Sequence, residues 1–385
     1  MTPRTITRRW RPIRAGVAVF LLGCSASGKG TTGAFNPLGT DDPGGTDSGG
    51  AGSDGSGGGP ADGDVGSSSG SSTSSSSSGS GGGTNAGSDS GSTARDSGGS
   101  EGGATPGPTT CPAPPSGSPA NAVTAWQVLN KVRLAAGDGC MNVVSALVTS
   151  AQAYCSYEAN NASNASCVAT AHTEVMSCAG FTGADVQTRE VAAGYPQSLA
   201  YTEVATTFGN DPTAAVPNWI DTVFHRIPLL DPWTTDMGYG GATGCDAIDI
   251  GRGMSKVPTS TITSYPYDGQ TGVPPSWNGL EGPEPPAPSG GFPSSYPISI
   301  YAQGLNVTQH LLTKDGDSTA ITHVWLDKNS SQLQSGLQGY FQDTAILYGA
   351  PFAANTKYHV QIVGTYSGGT LSKEWSFTTG TGSTP

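Results

Sequence analysis

The chain holds five histidines, and the one in NWIDTVFHRIPLLDP, residues 218–232, keeps the most suggestive company. Trp219 lies six residues before His225, Arg226 follows it at once, and Leu229-Leu230-Asp231-Pro232 closes the segment. An imidazole titrates near neutral pH, so it can serve as a general base or a metal ligand. Either role needs partners. Outside the Gly/Ser-rich stretch before Cys111 there is no G-x-S-x-G, and the chain contains no H-E-x-x-H and no phosphate-binding loop. Neither an oxyanion stabiliser nor a substrate-positioning wall is legible. On pattern alone His172 reads as a packed structural residue of an amphipathic helix. His310, His323 and His359 fall at solvent-facing or edge spacing in a β-rich region, with no partner cluster.

Elements that must position such residues begin after Cys111. From Ala120 to about Gly253 the pattern is mainly helical. Ala122, Ala125, Trp126, Leu129, Val132 and Arg133 make one stripe, and Val144, Leu147, Val148, Ala151, Tyr154 and Cys155 another. A third helix is expected to hold His172, and a fourth to run from Asp185 to Ala192. Pro212 suits the opening of a helix carrying Trp219. MGYGGATGCDAIDIGRG then reads as two short strands around a Gly-rich turn. Residues 255–290 form a Pro-rich connector, and 291–381 alternate like a small all-β sandwich. The class is therefore α+β, helices layered on a sheet followed by a β unit.

Six cysteines, Cys111, Cys140, Cys155, Cys167, Cys178 and Cys245, lie in this region. No Cys-x-x-Cys pair occurs, so disulfides are expected rather than a cysteine zinc site, and 15 pairings remain open.

The N-terminus carries five arginines and no acid ahead of a short apolar run, Ala15 to Leu22, ending in Leu21-Leu22-Gly23-Cys24. This resembles the bacterial lipoprotein signal, with cleavage after residue 23 and lipid on Cys24. The resemblance implies an exported chain held at the outer membrane or cell surface. Loss of residues 1–23 would take the net charge from −12 to −17. So acidic a chain repels phosphate backbones, which excludes nucleic acid as a partner. Residues 24–110 are mostly Gly, Ser, Asp and Thr and cannot bury enough apolar surface to order themselves, so a flexible tether is expected. A monomer is expected.

The residues around His225 resemble the W-x5-H-R-x-x-L-L-x-P block of bacterial CAP (SCP-like) domains, kin of the cysteine-rich secretory proteins, antigen 5 and plant pathogenesis-related proteins. Asn130 and Arg133 match an early N-x-x-R, Arg189 with Gly194-Tyr195 an R-x4-G-Y element, and Gly238-Tyr239-Gly240 the closing G-x-G strand. The resemblance covers residues 111–254 and implies an α/β/α sandwich with a central cleft. It implies cleft residues His172, Glu203 and His225, packed side by side, with zinc or another divalent metal held by His172 and His225 in some members. Two imidazoles and a carboxylate would leave a fourth zinc position open for water. Eukaryotic members carry a second acid where this chain has Thr222, so the cleft is expected to be poor in acids. Residues 291–381 resemble an immunoglobulin-like module appended to such domains. The function this suggests is a surface-tethered binding module for a lipid, glycan or cell-wall ligand. The alternative is a metal-assisted hydrolase of extracellular polymers.

Overall fold

The computed structural model describes residues 110–382, apart from 255 and 335. The export signal, Cys24 and the tether up to residue 109 lie outside the described residues. The chain is a mixed α+β protein. Among the described residues no helix is long and apolar enough to cross a membrane.

The first part runs α1 (Ala120–Ala135), β1 (Asn142–Val143), α2 (Ser145–Asn161), α3 (Val186–Ala192), β2 (Ala200–Thr206), α4 (Pro212–Ile220), α5 (Arg226–Leu230), β3 (Asp236–Ala242) and β4 (Cys245–Gly251). Its sheet has the order β1-β3-β4-β2, with β1 parallel to β3 and the other pairs antiparallel. Local chemistry sets several ends. Asp185 caps α3 by accepting the Thr188 amide, and Asp211 caps α4 by accepting those of Thr213 and Ala214, with Pro212 in the first turn.

Side chains alternate across this sheet. Val204, Met237, Tyr239, Ile248 and Ile250 join the apolar cluster that also contains Ala122, Leu129 and Trp219 of α1 and α4. The opposite face carries Glu203, Gly238, Gly240, Ala247 and Asp249 and receives α2. There the backbones nearly touch: a Cβ at Gly238 would lie 2.0 Å from the Val148 nitrogen, and one at Gly240 2.2 Å from the Ala151 carbonyl carbon. The result is three layers, helices on both faces of one sheet.

Asn130 and Arg133 of α1 clamp the loop that follows. Asn130 both donates to the Met141 carbonyl and accepts its amide, at 3.0 and 2.8 Å. The fully buried Arg133 guanidinium donates to the carbonyls of Gly139 and Leu229 and pairs with Asp138 at 2.8 Å. The three expected disulfides form as Cys111–Cys140, Cys155–Cys245 and Cys167–Cys178. The second ties α2 to β4 across a sequence separation of 90 residues, and the third closes a separation of 11 around His172. Such bridges belong to a chain that folds in an oxidising compartment.

The second part contains β5 (Ile262–Tyr265), β6 (Gln270–Val273), β7 (Ile298–Ala302), β8 (Asn306–Lys314), β9 (His323–Leu326), β10 (Thr344–Gly349), β11 (Lys357–Tyr366) and β12 (Gly369–Thr379). Two four-stranded sheets result, β5-β7-β10-β9 and β6-β12-β11-β8, sharing one apolar cluster. The expected connector at 255–290 is corrected here. Residues 262–273 supply β5 and β6, one to each sheet, so the β unit starts earlier than its alternating pattern showed. Only four residues long, each strand is too short to stand out amid Pro and Gly.

The two parts share a continuous core rather than a loose joint. Arg226 is its pin: fully buried, it donates to the Ile220 and Pro297 carbonyls and lies over the rings of Tyr265 and Tyr296 at 5.1 and 4.8 Å. Tyr296 in turn donates to Asp221 at 2.6 Å.

Candidate functional site

His172 is not in a helix, as the sequence suggested. Residues 162–183 form turns and irregular structure rather than a helix, and the Cys167–Cys178 bridge closes part of them around His172. His172 itself has a φ of 66°, a left-handed conformation that costs a non-glycine residue free energy unless its surroundings fix it. They do. Its amide donates to the Tyr154 hydroxyl at 3.1 Å, its carbonyl accepts from Arg189 at 2.9 Å, and its Nδ1 meets Glu203 Oε1 at 2.9 Å.

Glu203 projects from β2 with its side chain fully buried and gives its second oxygen to Arg189 at 2.8 Å. Burial raises a carboxyl pKa, but here the Arg189 guanidinium and His172 outweigh it and hold Glu203 below the ordinary range. Asp249 stands directly opposite on β4. Burial and the neighbouring Glu203 charge push Asp249 well above its usual value. The negative charge is thereby concentrated on Glu203, where His172 and Arg189 can use it.

His225 marks the start of α5, and its Nδ1 meets an acid absent from the expected set: Glu281 Oε1, at 2.7 Å. Glu281 also accepts the backbone amides of Val223, Phe224 and His225, each at 2.8 Å. Its side chain is fully buried, and His225 with those amides outweighs the burial, so its pKa is lowered. The acid that meets His225 is Glu281 rather than Glu203. The expectation of a cleft poor in acids is corrected, because the stretch before β7 supplies what position 222 lacks. Thr222 instead turns its hydroxyl to the Trp219 carbonyl. In sequence Glu281 is one of two acids in the Pro/Gly-rich run Gly279-Leu280-Glu281-Gly282-Pro283-Glu284, with no periodicity to give it a face.

His172 and His225 line one cavity of about 400 Å³, with Thr206, Asn218, Thr222 and Leu280 among its other walls. Each ring has its Nδ1 occupied by a carboxylate, which leaves Nε2 as the nitrogen available to the cavity. Trp219 also lines it, and its buried indole N–H has no hydrogen-bond partner among the described residues. The arginines of the matched motifs do not enter this chemistry directly: Arg189 orients Glu203 and His172, and Arg226 holds the two parts together.

The zinc that the resemblance implies does not fit these residues as a three-ligand site. Glu203 and Glu281 stand behind the imidazoles, each engaged on both oxygens. Among the described residues no group of three or more His, Cys, Asp or Glu is placed to hold an ion.

No family model matches the chain, and no curated protein is significantly similar to it.

Proposed function

We propose that this chain is an exported CAP-domain protein, tethered through lipid on Cys24, whose cleft binds a hydroxyl-bearing ligand outside the cell, a glycan before a lipid. The observation that carries the reading is the pair of carboxylate-held imidazoles, His172 and His225, facing one cavity. Its volume lies within the range of small-molecule sites. Thr206, Asn218 and Thr222 add polar groups to the walls. Such walls suit sugar hydroxyls better than an acyl chain. The order of helices and strands and the separate duties of His225 and Arg226 support the CAP reading, and the two-sheet β unit supports an immunoglobulin-like one. Hydrolysis is the lesser reading, because the acids are committed to holding the imidazoles.

The test compares the full exported chain with a His172→Ala/His225→Ala variant, on a glycan array and on lipid vesicles, with metal content measured in both. The expected result is glycan binding weakened at least about tenfold, equivalent to about 1.4 kcal/mol, in the variant. Equal binding by the two proteins, or none by either, would sink the binding reading. Stoichiometric metal with turnover lost in the variant would replace it with the hydrolase.

A further inference from the structure

We propose that Glu281 is a positioning residue that fixes the tautomer of His225, so that the β unit decides the chemistry of a cleft built mainly from the helical part. This rests on reading the cavity as the binding cleft.

Glu281 is ionised and accepts three successive backbone amides. A carboxylate has only acceptors, so the 2.7 Å contact with His225 requires the proton on Nδ1. Neutral His225 then carries its lone pair on Nε2, the nitrogen left to the cavity. Free imidazole side chains prefer the opposite arrangement, with the proton on Nε2. Without Glu281 the cavity would meet an N–H donor where it now meets an acceptor. On the far wall Glu203, held by Arg189, imposes the same tautomer on His172. With both rings neutral the cleft presents two imidazole lone pairs, and a ligand that meets them brings donors such as hydroxyl groups.

The segment delivering Glu281 is built onto the β unit. Trp277 bridges Ser294 through both backbone bonds, at 2.9 Å, and packs edge-on against Phe292. Gly279, at φ +82°, leaves no room for a Cβ, which would lie 2.5 Å from the Phe292 ring. Asn278 then accepts the Leu280 amide, leaving Leu280 largely exposed while Glu281 is buried. On the other side of the joint Arg226, the residue after His225, reaches the Pro297 carbonyl. Neighbouring residues thus divide the work: His225 takes its partner from the β unit into the cleft, and Arg226 fastens that unit in place.

The experiment is long-range proton–nitrogen NMR on the full exported chain labelled with ¹⁵N-histidine, which reads the tautomer of each neutral ring without any ligand. In the native protein both His225 and His172 are expected to carry the proton on Nδ1. Glu281→Ala should move His225 towards the Nε2–H form and leave His172 unchanged. Glu281→Gln, whose amide oxygen still accepts, should restore much of the native tautomer at His225. A native His225 with its proton on Nε2 would overturn the proposal, as would an unchanged His225 in a folded Glu281→Ala protein. If Glu281→Ala fails to fold, the native spectrum and the Gln variant still decide. Failure of the cleft reading looks different, with native tautomers as expected and no ligand lost in the double histidine variant.

Discussion

His310 Nδ1 and His323 Nε2 lie 2.8 Å apart, joining β8, an edge strand of one sheet, to β9, an edge strand of the other. His323 Nδ1 is committed to the Ile321 carbonyl at 2.7 Å, so in the neutral pair His310 donates. The His310 ring stacks on Trp325 with centroids 4.1 Å apart. His359, also expected to stand alone, pairs with Asp315 at 2.5 Å. The sequence reading of these three as unpartnered is corrected, because their partners come from other strands and loops.

This pair should make the β unit acid-sensitive. Burial, then the neighbouring His323, lowers the His310 pKa, with Asp327 acting the other way, and burial lowers that of His323. The unfolded chain therefore binds more protons than the folded one around and below the ordinary His value of 6.5. Stability should be present above that pH and be lost as pH falls through it. Denaturant midpoints at pH 7.5 and 5 check this, and His310→Gln should flatten the dependence. An unchanged slope in that variant would remove the pair as its source.

Glu190 has the opposite sign. Burial first, then the Glu203 charge, pushes its carboxyl up to about 9. The folded state holds a proton that the unfolded state has released, so this contribution is complete below about pH 4.5 and is lost as pH rises towards 9. Glu190→Gln should stabilise the protein at pH 8 by about 1–3 kcal/mol, in line with the cost of leaving a buried polar group poorly compensated. Melting temperatures at pH 5 and pH 8 would show the gain at the higher pH only.

Gly238 is where α2 meets β3 most closely, its missing Cβ leaving room for the Val148 amide. The obstacle to any side chain is backbone, so the whole helix would have to shift. Gly238→Ala should cost more than about 3 kcal/mol, beyond ordinary overpacking. Gly244→Ala meets no atom within 4 Å and serves as a comparison, bearing only the strain of its φ of +75°. Equal losses in the two variants, measured by denaturant unfolding, would mean that helix contact is not what excludes a Cβ at Gly238.

Some of this protein was legible from residue order alone. The α1 and α2 stripes, the Pro212 opening of α4, the paired strands β3 and β4 and the even count of cysteines from Cys111 onward are local patterns, and local patterns report period, helix starts and redox chemistry. His225 could be singled out because its neighbours in sequence, Trp219 and Arg226, also matter in space. The tertiary structure alone decided which acid serves it. Glu281 lies 56 residues away in a Pro/Gly-rich stretch and reaches His225 only after the β unit docks. It likewise decided the disulfide partners, the turn that holds His172 at positive φ, and the histidine pair across the sheet edges. Each of these depends on contacts between residues distant in sequence, and periodicity does not encode the distance between two elements.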